Sequence, residues 1–301
     1  MKQLEELMPW NKSEGMRAGF KALFDKLMGR RNNLDEVLRF LEEHHDELSD
    51  DMCALHRSVV AWLEGGPINV GESGTAYRLS RFLAWKLGED REITTQGSLT
   101  RRKERMQEDP DMVNWPPERL LELDNETTQW ATAAYVFGDR RKVPNPPHKL
   151  EVTYKVIDSI ERGTPWTPRR DETIVRQAQA FMEFLYTGKM NFVALQPEDY
   201  FFAGVFGMLS EEDMERIERG ELWPSLRGHE SDRIEEMKEM TEALREGRKI
   251  RSHDHRAVQA AAMYYKNNGR LNGNIEYPSA VNKSWRRFWE FLEYAPFAYC
   301  P

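Results

Sequence analysis

Helical periodicity is the feature that most constrains what this chain can fold into. In segment after segment, apolar residues recur every three to four positions, which is the spacing of an amphipathic helix. In residues 13–29, Met16, Phe20 and Leu27 lie on one stripe, and we expect Ser13 to cap that helix. Similar patterns occupy residues 34–48, 74–88, 126–138, 149–163, 172–188, 210–220, 231–247, 254–269 and 284–294.

Strand patterns are short and few by comparison. Candidates are found at residues 67–70, 92–96, 190–195, 248–251 and 271–277. From the pattern alone we expect an α-rich α/β protein.

The chain of 301 residues is longer than one ordinary hydrophobic core supports, so we expect two domains. The best internal boundary is the segment 162–172, RGTPWTPRRDE, in which Gly163, Pro165 and Pro168 interrupt helical continuity.

Charge and cysteine content exclude several classes of protein. A net charge of -8 argues against a general binder of nucleic acid or of membrane surfaces, because those partners need a positive face. The two cysteines, Cys53 and Cys300, are far apart and give neither a disulfide framework nor a metal-finger spacing. No segment is long and apolar enough to cross a bilayer, and we expect a cytoplasmic protein.

The segment around His253, Asp254 and His255 concentrates possible metal ligands. Helical metal ligands usually lie about one turn apart, whereas these three residues are consecutive and point in different directions. We therefore expect no metal here. Taken alone, the segment is typical of a polar helix start with Asp254 near the cap.

Six short stretches place basic, hydroxyl or glycine residues at turns that open helices. Free backbone N–H groups and the helix dipole favour anions at such turns. Their sequences are NKSEGMR (11–17), GESGTAYR (71–78), TRRKER (100–105), ETTQ (126–129), HESDR (229–233) and RSHDHR (251–256), and NKSW (282–285) adds a lysine at a similar junction. In an acidic chain, this pattern predicts a site for a small, highly anionic ligand.

In this order, the segments resemble the signature motifs of the enolpyruvyl transferase family. PWNKSEGMR is similar to P-x-S-K-S-x-x-x-R, GESGTAYR to G-N-x-G-T-x-x-R, and ETTQ to the S-S-Q element. HESDRI is similar to K-E-S-D-R-(I/L), DHRAVQAA to D-H-R-x-A-M-A, and VNKSWRRF to V-x-K-S-(F/W)-P-x-F. The resemblance extends from Pro9 to about Leu292.

This resemblance implies a fold and a domain arrangement. The fold would be α/β, a two-domain inside-out α/β barrel of the enolpyruvyl transferase type, helix-rich and with reduced repeat units. Residues 13–164 would form a first α/β domain on the shikimate-phosphate side. Residues 1–12 and 165–301 would form a second on the phosphoenolpyruvate side, with the active site in the cleft between them.

The implied activity is transfer of the enolpyruvyl group of phosphoenolpyruvate to the hydroxyl of 3-phosphoshikimate, with release of phosphate. Neither a metal nor a cofactor is required, and we expect a monomer without nucleic-acid or membrane partners. The resemblance assigns substrate binding to Ser13, Arg17, Gly74, Thr75, Arg78, Arg101, Thr127, Thr128, Gln129, Arg233, Arg256 and Lys283. It assigns catalytic roles to Lys12, Asp199, Glu230 and His255.

Two alternatives stay open for Asp199, which is either the general base or an ordinary helix cap after Pro197. The motifs also depart from the family pattern. His229 replaces a lysine, Glu72 an asparagine and Arg286 a proline. These departures leave two other hypotheses for the whole protein: a related transferase with a different acceptor, or a non-catalytic anion-binding homologue.

Overall fold

The computed structural model describes residues 2–124, 127–189, 195–227, 232–268 and 274–294. Helices dominate these residues. The first eight are α1 Lys2–Leu7, α2 Lys12–Leu27, α3 Leu34–Glu43, α4 Asp50–Glu64, α5 Gly74–Leu87, α6 Gly97–Lys103, α7 Pro117–Leu123 and α8 Gln129–Val136. The others are α9 His148–Glu161, α10 Glu172–Thr187, α11 Tyr200–Val205, α12 Glu211–Glu218, α13 Arg233–Glu246, α14 His255–Asn267 and α15 Phe288–Tyr294.

The expected inside-out α/β barrel is wrong. The protein is 64% helical, and the strands found in the described residues are only two, β1 Ile68–Asn69 and β2 Ile93–Thr94. They pair in parallel, with Ile68 opposite Ile93. Two-residue strands cannot form the outer sheets of a barrel, because typical strands have five or six residues. The amphipathic patterns are satisfied by packing helix on helix instead.

Two compact units make up the chain. The central unit, Trp10–Arg169, is the continuous middle of the sequence, and the terminal unit combines Met1–Pro9 with Arg170–Pro301. The division between Arg169 and Arg170 falls inside the proline-containing segment 162–172.

Close contact between α2 and α4 organises the core of the central unit. A Cβ atom at Gly15 would lie 2.6 Å from Met52 Cε, and one at Gly19 would lie 2.7 Å from Leu55 Cδ2. The two glycines are one helical turn apart, so together they give α4 a smooth face on which to pack. Deeper in the unit, Phe24 packs edge-on against Phe137 with ring centroids 5.4 Å apart.

The start of α2 differs from the sequence prediction. Asn11 is its N-cap, because the Asn11 side chain accepts a hydrogen bond from Glu14 N. Ser13, the predicted cap, is exposed in the first turn. The prediction was wrong because Asn, like Ser, is a preferred capping residue, and it stands two positions earlier.

In the terminal unit, α11, α13 and α14 pack together around buried aromatic and alanine side chains. The two ends of the sequence meet there, since Trp285 Nε1 donates to Leu7 O at 2.6 Å. Ile250 and Ile275 form an isolated parallel bridge next to α14. Among the described residues, no helix has both the length and the apolar character needed to cross a membrane.

Candidate functional site

In the central unit, the start of α5 meets the start of α8. Gln129 Nε2 donates to Thr75 Oγ1 at 2.8 Å, and Arg78 Nη1 donates to Gln129 Oε1 at 2.7 Å. Thr75 and Arg78 lie one turn apart on α5, and Ser73 caps that helix by accepting from Ala76 N. Residues from two motifs that are far apart in the sequence are therefore hydrogen-bonded to one another.

Asp124 completes this arrangement from the loop before α8. Its carboxylate accepts hydrogen bonds from Thr127 Oγ1 at 2.5 Å and from Gln129 N at 3.1 Å. Arg78 Nε lies 3.8 Å from the same carboxylate. We call Thr75, Arg78, Asp124, Thr127 and Gln129 the Gln129 cluster. It joins one buried cation to one buried anion and presents hydroxyl and amide groups beside them.

Thr128 lies within this region in an unusual state. Its φ of 56° is in the left-handed region, where a β-branched residue is strained. The side chain is 1% exposed, and no described group forms a hydrogen bond with its Oγ1. Thr128 therefore combines backbone strain with an unsatisfied buried hydroxyl, a combination that is unusual in a folded protein.

Arg17, predicted to bind substrate, directs its donors at the protein itself. Nε donates to Thr153 Oγ1 at 2.6 Å, Nη1 to Ser13 O and Nη2 to Lys149 O. Burial lowers the pKa of Arg17 to about 10. Thr153 of α9 also hydrogen-bonds Thr132 of α8. Thr153 therefore connects α2 and α9 to α8, the helix that begins at Gln129.

The predicted residue Gly74 begins α5 directly beside the Gln129 cluster, whereas Lys12 and Arg101 lie outside it. Lys12 forms an ion pair with Asp51 of α4 at 2.7 Å, and Arg101 is exposed in the last turn of α6. Glu72 stands where the family pattern has an asparagine. Its carboxylate accepts hydrogen bonds from Ser98 N and Ser98 Oγ at the start of α6. A carboxylate of the chain itself therefore occupies the N-terminus of this short helix.

In the terminal unit, the predicted residues Arg233, His255 and Arg256 lie at the starts of α13 and α14. Asp254 caps α14 by accepting from Arg256 N at 2.8 Å, which confirms the sequence prediction of a cap at this position. His255 Nδ1 lies 3.8 Å from Asp254 Oδ1.

Further contacts tie Asp254 to the neighbouring helices. Tyr200 OH of α11 donates to Asp254 Oδ2 at 3.4 Å. Ser252 Oγ accepts from Asp254 N at 3.0 Å and donates to Glu236 Oε1 of α13 at 2.5 Å. The Arg233 guanidinium lies 6.0 Å from the centre of the Tyr200 ring. We call Tyr200, Arg233, Glu236, Ser252 and Asp254 the Asp254 cluster.

The two carboxyl groups of this cluster titrate in opposite directions. Burial raises the pKa of Glu236, and the nearby Asp254 charge raises it further. Burial alone would also raise the pKa of Asp254, but the neighbouring positive charges, His255 and Arg256 foremost, outweigh it and hold that pKa below its usual range. Within one cluster, Asp254 is thus kept ionised while Glu236 is the carboxyl that takes up a proton more readily.

Asp199, the candidate base, is completely buried and multiply bonded. It accepts from Gln177 Nε2 at 2.6 Å, from Arg176 Nη2 at 3.1 Å and from Gln196 N at 3.0 Å. The bond from Gln196 belongs to a capping box at the short 3₁₀ helix Pro197–Asp199. This geometry agrees with the helix-cap alternative, and the role of Asp199 as a base stays a prediction.

Two predicted positions remain. Lys283 is half-buried at the end of the 3₁₀ helix Pro278–Lys283, and Glu230, like His229, lies outside the described residues. Within the described ranges, no three His, Cys, Asp or Glu side chains come together as a metal site.

Sequence reasoning missed Asp124, Thr153, Tyr200 and Glu236. Asp124 had a signal, because an aspartate three residues before a threonine is typical of local side-chain hydrogen bonding to the backbone. The other three act across helix interfaces, which no local pattern marks.

Comparison of the chain with protein-family models, with curated proteins and with solved structures finds no match.

Proposed function

We propose that the protein is a transferase that moves the enolpyruvyl group of phosphoenolpyruvate to the hydroxyl of 3-phosphoshikimate and releases phosphate. The observation that carries this proposal is the hydrogen bond from Gln129 to Thr75, with Arg78 bound to the same amide. The family resemblance assigns Gln129 to the sugar phosphate and Thr75 to phosphoenolpyruvate, so it requires these side chains to be neighbours. Since the described residues do not form the family's barrel, the support comes only from this local contact.

The reaction explains why such a cluster is useful. The acceptor hydroxyl loses a proton and attacks C2 of phosphoenolpyruvate while C3 gains a proton. The resulting tetrahedral intermediate then loses a proton from C3 and expels inorganic phosphate, which restores the carbon–carbon double bond. Both reactants carry several negative charges, so bringing them within reach requires fixed cations and hydrogen-bond donors.

The terminal unit supplies independent support. Arg233 and Arg256 come from two different motifs, and both lie close enough to Asp254 to lower its pKa. The resemblance implies that these two arginines bind the carboxylate of phosphoenolpyruvate. Guanidinium groups bind carboxylates through charge-assisted hydrogen bonds. With a reducing compartment indicated by the cysteine content, we further propose that the protein acts in the cytoplasm as a monomer.

The test is release of inorganic phosphate from phosphoenolpyruvate, measured with and without 3-phosphoshikimate. We expect release that depends on the acceptor and that Gln129→Ala slows at least tenfold, since transition-state hydrogen bonds contribute about 1.4 kcal/mol or more each. The proposal is overturned if the folded protein releases no phosphate in an acceptor-dependent way, either with 3-phosphoshikimate or with any of a panel of related hydroxy acids. Release with another acceptor would instead select the related transferase.

A second candidate function is non-catalytic binding of the same anions. The bonds of Asp199 to Arg176 and Gln177 favour it, because these protein groups already occupy the carboxylate oxygens that would have to accept a proton from a substrate. Thermal stabilisation by 3-phosphoshikimate and phosphoenolpyruvate without phosphate release would select this candidate.

A further inference from the structure

Two arginines lie at neighbouring helix starts in the terminal unit. Arg233 is the first residue of α13, and Arg256 is the second residue of α14. These helices pack against each other and both pack against α11. The charge that surrounds the arginines therefore comes from all three helices and from the loop before α14.

Glu236 lies on α13 one turn after Arg233 and is bonded to the beginning of α14. Ser252 Oγ donates to Glu236 Oε1 and at the same time accepts from Asp254 N. Asp254 in turn caps α14 through Arg256 N. The carboxyl of Glu236 thus ends a chain of hydrogen bonds that leads to the backbone of Arg256.

Charged and titratable groups face Glu236 from α11, from α13 and from the start of α14. Asp254 faces it from the start of α14, Tyr200 from α11, and Arg233 and Glu239 from its own helix. Protonation of Glu236 removes one negative charge from this group, so the surroundings of Arg233 and Arg256 become more positive by one charge.

We propose that Glu236 is a proton-linked positioning residue, whose protonation strengthens the capture of an anionic carboxylate or phosphate by Arg233 and Arg256. This inference rests on the proposed function, because it assumes that the two arginines bind phosphoenolpyruvate. Glu236 acts through the arginines and through Ser252, and it takes no part in bond making.

The direction of proton uptake follows from electrostatics. An anion bound at the arginines adds negative charge beside Glu236, which raises the pKa of its carboxyl above the already raised value of the free protein. Binding therefore takes up a proton, and by linkage affinity rises as the pH falls through the pKa of Glu236.

The experiment is calorimetric titration of the full chain with phosphoenolpyruvate between pH 5 and pH 8, in buffers of different ionisation enthalpy, which gives both Kd and proton uptake. The variant is Glu236→Gln, whose amide oxygen still accepts from Ser252. The matched control is Glu235→Gln, an exposed neighbour on the same helix that pairs with Lys238. Protonation of the ligand itself is common to all three proteins and cancels in the comparison.

We expect Glu236→Gln to bind phosphoenolpyruvate about three- to tenfold more tightly than the wild type at pH 8, where removal of a nearby negative charge matters most. The difference should shrink towards pH 5, and the variant should take up fewer protons. Glu235→Gln should match the wild type. Equal proton uptake in wild type and Glu236→Gln, or a Kd ratio that is constant with pH, overturns the inference.

The same data separate this inference from the proposed function. Phosphoenolpyruvate binding with the Glu236 linkage, but without acceptor-dependent phosphate release, keeps the inference and overturns the transferase. Acceptor-dependent turnover, together with equal proton uptake by wild type and Glu236→Gln, keeps the transferase and overturns the inference. Absence of phosphoenolpyruvate binding to the wild type overturns both.

Discussion

Gln129 and Thr75 are joined by a 2.8 Å hydrogen bond although 53 residues separate them in the chain. The amide of Gln129 is used twice, because its oxygen accepts from Arg78 while its nitrogen donates to Thr75. This arrangement fixes the orientation of the amide and holds Arg78 at the start of α8. One side chain therefore connects α5 and α8, two of the helices that carry predicted substrate-binding residues.

Replacement of Gln129 by alanine should weaken both stability and ligand binding. Arg78 would lose an acceptor in a buried position, so we expect the free energy of unfolding to fall by about 1–3 kcal/mol. We also expect the affinity for 3-phosphoshikimate to fall by about tenfold or more, which corresponds to one charge-assisted hydrogen bond. Urea unfolding and calorimetry measure the two effects.

Gln107→Ala is a suitable control, because Gln107 is exposed in the same unit. It should leave both quantities unchanged. Equal affinities of wild type and Gln129→Ala for 3-phosphoshikimate would show that the Gln129 cluster is structural only.

Arg17→Lys should destabilise the protein although it keeps the charge. The guanidinium of Arg17 satisfies Thr153 and two backbone carbonyls in three directions, and an ammonium cannot reach all of them. We expect a loss of about 1–3 kcal/mol in the free energy of unfolding. Arg39→Lys, at an exposed position of α3, should change it by less than about 0.5 kcal/mol. Similar unfolding midpoints for the two variants would contradict the role described for Arg17.

Much of the helical content could be predicted from the sequence, whereas the architecture could not. The stripe containing Met16 and Phe20 indicated α2 correctly, since both residues are buried, although Leu27 at the end of the stripe is exposed. By contrast, α4 was not predicted. Its buried residues, among them Met52, Leu55 and Ser58, lie on several sides of the helix, so the sequence shows no single apolar stripe. The short strand-like segments were compatible with a reduced barrel and also with a helical protein. Local sequence cannot tell whether such a segment forms an isolated two-residue strand or belongs to a larger sheet.

For the candidate site, the sequence could indicate residue types but not their partners. Gln129 and Thr75 were both predicted to bind substrate. The structure shows that they are hydrogen-bonded to one another, and their binding of a substrate stays a prediction. Arg17 was also predicted at the site, but its donors bind the protein, which depends on the packing of α9 against α2. The role of Glu236 depends on Ser252 of another segment, so it becomes visible only after folding.

Thr128→Gly should be tolerated unusually well. Glycine adopts a positive φ without strain and removes the unsatisfied hydroxyl, which together offset the lost methyl group and the greater chain entropy. We expect the free energy of unfolding to change by less than about 1 kcal/mol. Thr132→Gly, in the same helix and also fully buried, should cost about 2–3 kcal/mol because it loses a helical residue and the bond to Thr153. Equal losses in urea unfolding would contradict the strain at Thr128.

Asp199→Asn distinguishes a base from a structural carboxylate. Loss of the buried charge removes an ion pair with Arg176 and disrupts the capping box, so we expect the free energy of unfolding to fall by about 2–4 kcal/mol. Asp213→Asn, at the equivalent position of the exposed capping box of α12, should cost about 1 kcal/mol or less. A variant of Asp199 with wild-type stability and strongly reduced phosphate release would instead identify this residue as the base.

The pH dependence of stability should change in Glu236→Gln. Burial raises the folded-state pKa of Glu236 above its value in the unfolded chain, so the folded protein binds the proton more tightly. Stability from this group is then present below the unfolded pKa and is lost as pH rises through the folded pKa. The variant lacks this loss, and we expect it to gain stability relative to the wild type between pH 4 and pH 8. Thermal unfolding across this range measures the difference. Glu235→Gln should run parallel to the wild type, and a parallel curve for Glu236→Gln would show that the carboxyl is not perturbed by its surroundings.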